Sequence, residues 1–164
     1  MSFSVDVQNP HDFAVDADAL CRAAETTLRM QAVAPDTALT IRVDDDAAVA
    51  ALNRSYRGVD AATDVLSFPA DLPPVDDEPV YAGDIVIAYP YAAAQAAREQ
   101  HPLGASLALL VVHGVLHLLG YDHATPEERA HMWSVQNTIL NELNVPLDIV
   151  PALEYYDEKN DTDY

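Results

Sequence analysis

The sequence is poor in basic residues and almost free of cysteine. Its 164 residues include 8 Lys and Arg against 27 Asp and Glu, a formal net charge of −19, and the one lysine is Lys159. This charge repels polyanions unless the few bases cluster, so composition alone disfavours nucleic-acid binding. The one cysteine, Cys21, excludes an internal disulfide, and its position on a helical pattern predicts a buried structural thiol.

Long hydrophobic runs are also missing. The sequence has no run of about eighteen apolar residues, so we expect no transmembrane helix. It begins without the basic segment and apolar run of a secretory signal peptide, so we expect a cytoplasmic protein. Hydrophobic residues make up 50% of the chain, which at this length is enough for the core of one globular domain.

Hydrophobic periodicity predicts a single α+β domain over residues 1–150. Apolar alternation predicts strands over 2–8, 37–44, 63–68 and 83–88, and helical spacing predicts helices over 16–32, 90–100, 103–119 and 125–143. A further helix is expected to start at the three aspartates 44–46, which oppose its dipole, and to run towards Tyr56. Gly58 is expected to end the second helix, and Thr125 with Glu128 forms a capping box for the last one. We therefore expect a sheet of about four strands packed with about five helices, followed by an acidic tail over 151–164 that frays.

Residues 113–123 read HGVLHLLGYDH and contain three of the six histidines of the chain. His113 and His117 are spaced to lie on one face of a helix, where two neutral imidazoles can bind one zinc ion. His123 can join them only if the chain reverses, and Gly120 stands where a left-handed residue permits that turn. Three protein ligands leave the fourth position open for water, as in catalytic zinc sites. We expect the remaining histidines to be surface residues: His11, His101 and His131.

The same spacing occurs in the extended zinc-protease pattern H-E-x-x-H-x-x-G-x-x-H, with one difference. Gly114 occupies the position at which that pattern has the glutamate that serves as general base. Without this carboxylate the protease route lacks its proton acceptor. A metalloprotease is therefore a poor fit to the sequence.

The histidine motif resembles the signature of the YbeY family of zinc-dependent endoribonucleases, which act in the maturation of bacterial ribosomal RNA. Two other parts of the sequence also resemble this family. One is LNRSYR at 52–57 followed by TDVLSFP at 63–69, and the other is GDI at 83–85. Their order and spacing agree, so the resemblance extends over about residues 38–143.

This resemblance implies a compact α+β fold, one zinc ion held by the three histidines, and cleavage of single-stranded RNA. It also implies a role in forming the 3′ end of small-subunit ribosomal RNA and in ribosome quality control. The functional arginine of the family corresponds to Arg57. A guanidinium can contact two phosphate oxygens at once, so it suits the charge that develops when a phosphodiester is attacked.

Four further residues in or beside the matching segments are candidates to shape the site or to hold the second nitrogen of a histidine: Asp64, Ser67, Asp84 and Asp122. Asp122 is alternatively a cap of the turn. The expected partners are single-stranded RNA and the ribosomal small subunit. Since only Arg54, Arg57 and Arg98 are expected near the zinc, we predict that the ribosome or a partner protein supplies part of the RNA affinity.

The sequence leaves two other functions open. One is a metallohydrolase that acts on peptides or small molecules, although Gly114 argues against the peptide version. The other is a ribosome-assembly factor without catalytic activity, in which the zinc is structural. For the endoribonuclease itself, either water or the 2′-hydroxyl of the RNA could be the attacking group.

Overall fold

Four strands and five α-helices form in the computed structural model, which describes residues 3–71 and 75–149. In chain order they are β1 Ser4–Gln8, α1 Ala17–Met30, β2 Ala38–Asp44, α2 Asp46–Arg57, β3 Val65–Pro69, β4 Tyr81–Ala88, α3 Tyr89–Glu99, α4 Leu103–Leu118 and α5 Pro126–Glu142, with a short 3-10 helix at Leu147–Ile149. The predicted α+β fold is confirmed, and every predicted strand and helix overlaps an observed one. The predicted acidic tail, 151–164, lies outside the described residues.

The strands form one sheet in the order β1-β2-β4-β3. β1 pairs parallel with β2, β2 pairs parallel with β4, and β3 pairs antiparallel with β4. β3 is therefore an edge strand, and it follows directly from the loop after α2. In register, Ile41 of β2 lies beside Ile85 of β4, which lies beside Ser67 of β3.

The two faces of the sheet are covered by different helices. Ile85 and Ile87 are fully buried in the main core, together with residues of α1, α4 and α5. Val86 points the other way and packs with Val49 of α2 in a second, smaller core. α4 lies within the main core and is buried along most of its length, which explains why its sequence is apolar on nearly every face. No helix in the described part of the chain is long and apolar enough to cross a bilayer.

Local sequence signals define several helix ends. The side chain of Asp45 accepts a hydrogen bond from Ala48 N at 2.8 Å, and Gly58 ends α2 at φ 72°. The hydroxyl of Thr125 accepts from Glu128 N at 3.1 Å, which is the N-cap bond of the predicted capping box, and it donates to the carboxylate of Glu128 at 3.2 Å. These contacts satisfy backbone groups that the helix itself leaves open.

Cys21 is only partly buried, so the prediction of a buried thiol is wrong in extent. Its side chain lies on the exposed side of α1 next to β1, with Sγ 3.8 Å from the carbonyl oxygen of Val5. Burial, followed by the nearby charge of Glu25, raises the pKa of the thiol. The protonated form is therefore favoured over the reactive thiolate.

Candidate metal centre

The last turns of α4 and the turn after it bring the three predicted histidines together. α4 ends at Leu118, and the chain reverses at Gly120, which has φ 99° and donates its N–H to the carbonyl of His117 at 3.0 Å. The N–H of Tyr121 also returns to the helix, at 3.0 Å from the carbonyl of Leu116. This reversal carries His123 back towards the side of α4 that holds the other two histidines.

The imidazoles converge on a common point. The ring centroids of His113 and His117 are 4.5 Å apart, and His123 lies 5.5 Å from the first and 4.9 Å from the second. One ligand nitrogen from each ring lies within 4.8 Å of the others. His113 and His123 are buried and His117 is partly buried. The predicted grouping of the three side chains is therefore observed.

Hydrogen bonds orient two of the three rings for metal binding. The Nδ1 atom of His113 lies 3.0 Å from Oε1 of Gln136, and Nδ1 of His117 lies 2.9 Å from the carbonyl oxygen of Tyr121. Both acceptors are oxygens, so each Nδ1 carries the proton and each Nε2 presents a lone pair. The two Nε2 atoms are 3.0 Å apart. Two lone pairs at this distance need a cation between them or beside them, so the donor set fits a metal ion that prefers nitrogen.

The surroundings of His113 and His117 keep these two imidazoles neutral. Burial lowers the pKa of His113 well below its ordinary value, and the neighbouring His117 lowers it further. Burial and then the charge of His123 lower the pKa of His117 to about 4. Neutral imidazole is the form that binds metal, so the cluster is ready to bind an ion at neutral pH.

Gly114 packs tightly against the sheet. A Cβ atom at this position would lie 3.2 Å from the side chain of Ile85 and 3.2 Å from the hydroxyl of Ser67. That hydroxyl also donates a hydrogen bond to the carbonyl of Gly114 at 3.3 Å. A glutamate here, as the protease pattern requires, would have to displace both neighbours. Ser67 thus contacts the helix that carries two of the three histidines, and its role in shaping the site stays a prediction.

The predicted supporting aspartates have other contacts. Asp122 accepts a hydrogen bond from the backbone N–H of His123 at 2.8 Å, so it caps the turn. Asp64 is buried before β3 and accepts from Val65 N at 2.8 Å and from the hydroxyl of Thr63 at 3.4 Å. The nitrogens they were expected to hold are bonded instead to Gln136 and to the Tyr121 carbonyl.

The structure places Asp84, a candidate to support the histidine site, on another face of the sheet. Successive residues of a strand point to opposite faces, and Ile85 faces α4. Asp84 therefore faces α2, where it accepts a hydrogen bond from the hydroxyl of Tyr81 in a groove of about 830 Å³. The sheet separates its carboxylate from the three imidazoles.

Arg57 is the last residue of α2, and its Nε atom is buried. Because α2 covers the face of the sheet opposite to α4, its guanidinium can approach the histidines only past the edge strand β3. The catalytic role of Arg57 stays a prediction. Arg54, also expected near the zinc, is exposed and pairs with Asp60 at 3.1 Å.

Three neighbours of the cluster were not predicted. Gln136 is fully buried on the inner face of α5. The ring of Trp133, one turn earlier, stands edge-on to His113 and His123, at centroid distances of 5.6 and 5.8 Å. The guanidinium carbon of Arg129 lies 5.9 Å from the centroid of the Trp133 ring. A polar residue on an apolar helix face was the available signal for Gln136, but the sequence alone does not identify its partner.

A second group of potential ligands lies at the other end of the sheet. The Nε2 atom of His11 is 2.8 Å from a carboxylate oxygen of Asp44 and 3.5 Å from one of Asp45. Arg42 already pairs with Asp44, with Nε 2.6 Å from the carboxylate. The side chains of His11 and Arg42 therefore already contact the carboxylate of Asp44. His11 is partly exposed, as predicted, but it is tied to Asp44.

The fold and the converging imidazoles define a small α+β protein with a candidate metal site on a buried helix. The chain belongs to the YbeY family: the family model described as Endoribonuclease YbeY matches residues 6–144. Endoribonuclease YbeY of Roseiflexus castenholzii is 47% identical over 150 residues, which cover 86% of this chain and 93% of that protein. Endoribonuclease YbeY of Pseudomonas putida is 40% identical over 159 residues, which cover 96% of each.

A solved structure is similar in fold. The solution structure of TM1509 from Thermotoga maritima matches with a TM-score of 0.58 and 22% identity, over 98% of this chain and 96% of that one. At this identity the likeness supports the architecture alone. It agrees with the α+β arrangement described above.

Proposed function

We propose that this protein is a zinc-dependent endoribonuclease that cleaves single-stranded RNA, acts in 3′-end maturation of small-subunit ribosomal RNA and in ribosome quality control, and works in the cytoplasm. The observation that carries the proposal is the convergence of three imidazoles, two of them oriented by hydrogen bonds at Nδ1. Membership of a family whose relatives are named endoribonucleases supports RNA as the substrate.

His113, His117 and His123 would hold the metal ion in this proposal. Zinc bound to three imidazoles supplies a Lewis acid and a bound water of lowered pKa. Gln136 and the carbonyl of Tyr121 hold the rings in the tautomer that ligation requires. Burial of His113 and His123 excludes competing water from the protein side of the site.

The proposed role of Arg57 is to bind the non-bridging oxygens of the scissile phosphate. Its planar fork matches two oxygens and stabilises the charge that develops on them. The packing of Gly114 against Ile85 and Ser67 argues against a general base at that position, and so against peptide hydrolysis. Attack by water and attack by the 2′-hydroxyl are both compatible with this arrangement.

The test combines metal analysis with a cleavage assay on wild type, His117→Ala and the control variant His101→Ala. His101 is a histidine outside the cluster, beside a small cavity between α3 and α4. Wild type and control should hold about one zinc per chain and cut single-stranded RNA in a chelator-sensitive way, and unfolded casein should survive. His117→Ala should lose most of the zinc and the cleavage.

Three results would contradict the proposal. Full zinc retention in His117→Ala would show that the ligands are wrong. Proteolysis that disappears in His117→Ala, with RNA left intact, would show that the substrate class is wrong. Zinc that binds without any RNA cleavage, alone or on ribosomal subunits, would favour the non-catalytic assembly factor.

A further inference from the structure

A cavity of about 330 Å³ opens beside the candidate metal centre. It lies between the turn that carries His123 and the first two turns of α5, and its walls include His123, Thr125, Arg129 and Trp133. His123 belongs both to this wall and to the histidine cluster. A ligand in the cavity would therefore be a direct neighbour of anything bound at the metal centre.

The charge of this cavity differs from that of three other cavities in the described structure. Each of those three is lined by two carboxylates, which are Asp64 with Glu99, Asp44 with Asp84, and Asp122 with Glu128. The cavity beside His123 has no carboxylate in its lining and has the guanidinium of Arg129. One of the other three also has an arginine, Arg42, in its lining, so the difference lies in the missing carboxylates, and in a chain with a net charge of −19 an anion is repelled less here.

Trp133 gives the cavity a second feature of a binding site. The residue is 6% exposed, and its indole Nε1–H makes no hydrogen bond within the described residues. A buried N–H that lacks an acceptor costs free energy, and an oxygen brought by a ligand removes that cost. The guanidinium carbon of Arg129 lies 5.9 Å from the centroid of the indole ring, within the distance at which a cation is attracted to the ring face, and both residues line the cavity.

We propose that this cavity binds the phosphate of a nucleotide adjacent to the scissile one, with Arg129 as the cation that contacts it and Trp133 as the wall that positions Arg129. The inference rests on the proposed function, since it assigns a part of the RNA strand to a second position beside the metal centre. It places single-stranded RNA across α5 on the His123 side of the cluster. Phosphate contacts of this kind position a strand without reading its sequence.

The experiment uses the fact that Trp133 is the one tryptophan of the chain. The full-length, zinc-loaded protein is titrated with a single-stranded 2′-O-methyl RNA oligonucleotide, and its integrity is checked on a gel afterwards. Tryptophan emission and the anisotropy of a labelled oligonucleotide are recorded together. The emission should change with the same midpoint as the anisotropy, because the ligand contacts Arg129 over the indole ring.

Arg129→Gln is compared with Arg29→Gln, which removes an arginine charge far from the cavity. Arg29 belongs to α1 and lies 3.9 Å from Glu142 at the C-terminal end of α5. Glu142 is about 20 Å along α5 from Arg129. Arg129→Gln should weaken binding several-fold and should change the slope of log affinity against log salt by about 0.7, the value for one phosphate contact on a single strand. Arg29→Gln should match wild type, and Arg129→Lys should retain most of the salt dependence.

The results separate this inference from the proposed function. Binding without a change in tryptophan emission, together with equal salt slopes for the two glutamine variants, would overturn the cavity and leave the endoribonuclease intact. An equal change in emission with inorganic phosphate at the same phosphate concentration would also overturn it, because the cavity would then hold a free anion only. Failure of RNA to bind or to be cleaved would instead refute the proposed function.

Discussion

Substitution of Asp64 by asparagine should stabilise the protein at neutral and alkaline pH. Asp64 is 3% exposed and lies beside a small cavity. Burial raises the pKa of its carboxyl group to about 6, although hydrogen bonds from Val65 N and the hydroxyl of Thr63 oppose the shift. Above that pH the folded protein holds a buried negative charge that the unfolded chain exposes to water.

The sign and size of the effect follow from the two pKa values. Between the reference pKa of 3.8 and the folded value of about 6, the folded state binds more protons than the unfolded state. Stability is therefore lost as the pH rises through this window, and above it the loss is constant. The difference of about two pKa units corresponds to about 3 kcal/mol. Asparagine keeps an oxygen that accepts from Val65 N but has no charge, so Asp64→Asn should recover up to about 3 kcal/mol near pH 8 and almost nothing near pH 4.

The assay is urea unfolding of wild type and Asp64→Asn at several pH values from about 4 to 8. Asp36→Asn is the control, because Asp36 is exposed and asparagine tolerates its φ of 66°. The two stability profiles should converge at low pH and separate above pH 6. A constant difference at every pH, or a destabilised variant near pH 8, would refute the reasoning, because the charge would then not be the cause.

Three further predictions concern the site. Gln136→Leu should weaken zinc binding about 10- to 100-fold, measured by competition with a chelator, because His113 loses the acceptor that fixes its tautomer. Gln136→Glu should strengthen zinc binding. Unchanged zinc affinity in both variants would exclude this positioning role. The metal-free protein should lose about 3 kcal/mol of stability as the pH falls from about 6.5 to about 4, because His117 is protonated at a higher pH in the unfolded chain than in the folded protein. A thermal-unfolding midpoint that does not change over this pH window would contradict the prediction. Arg57→Lys should keep the fold and the zinc but lower the single-turnover cleavage rate about ten- to a thousandfold, because lysine has the charge but not the planar guanidinium that contacts two phosphate oxygens. Equal rates for wild type and variant across a salt series would show that Arg57 only attracts RNA from a distance.

The elements that the sequence predicts well are those with local causes. Asp45 and Gly58 bound α2, and Thr125 with Glu128 begins α5, because caps are decided by neighbouring residues and backbone conformation. The histidine cluster also has a local cause. A four-residue spacing on a helix and a glycine turn are enough to bring His113, His117 and His123 together.

The features that the sequence did not reveal depend on contacts between distant elements. The alternation of β4 shows that Asp84 and Ile85 face opposite ways, but only the packing shows that α4 covers the face of Ile85. The oxygen that orients His113 comes from another helix, and the one that orients His117 is a backbone carbonyl, which has no signature in the sequence. Arg129 and Trp133 are four residues apart on α5, so helix spacing brings them together, but their closeness to His123 depends on the angle between the turn and α5.

The distribution of charge explains how an acidic protein could act on RNA. Several of the few arginines are already paired with acids: Arg42 with Asp44, Arg54 with Asp60 and Arg29 with Glu142. These pairs do not attract RNA from a distance, and the net charge of −19 opposes its approach. At physiological ionic strength, however, charges more than about 8 Å from the strand are largely screened.

Contacts inside the site are then the ones that matter, and the cavity beside His123 is free of carboxylates on its walls. A partner or a ribosomal particle that holds the strand would raise its effective concentration without any basic face on this protein. Weak affinity for free RNA and cleavage of RNA that is held in place are therefore compatible. The acidity also has a consequence for selectivity, because RNA that is not delivered to the site is repelled by the rest of the surface.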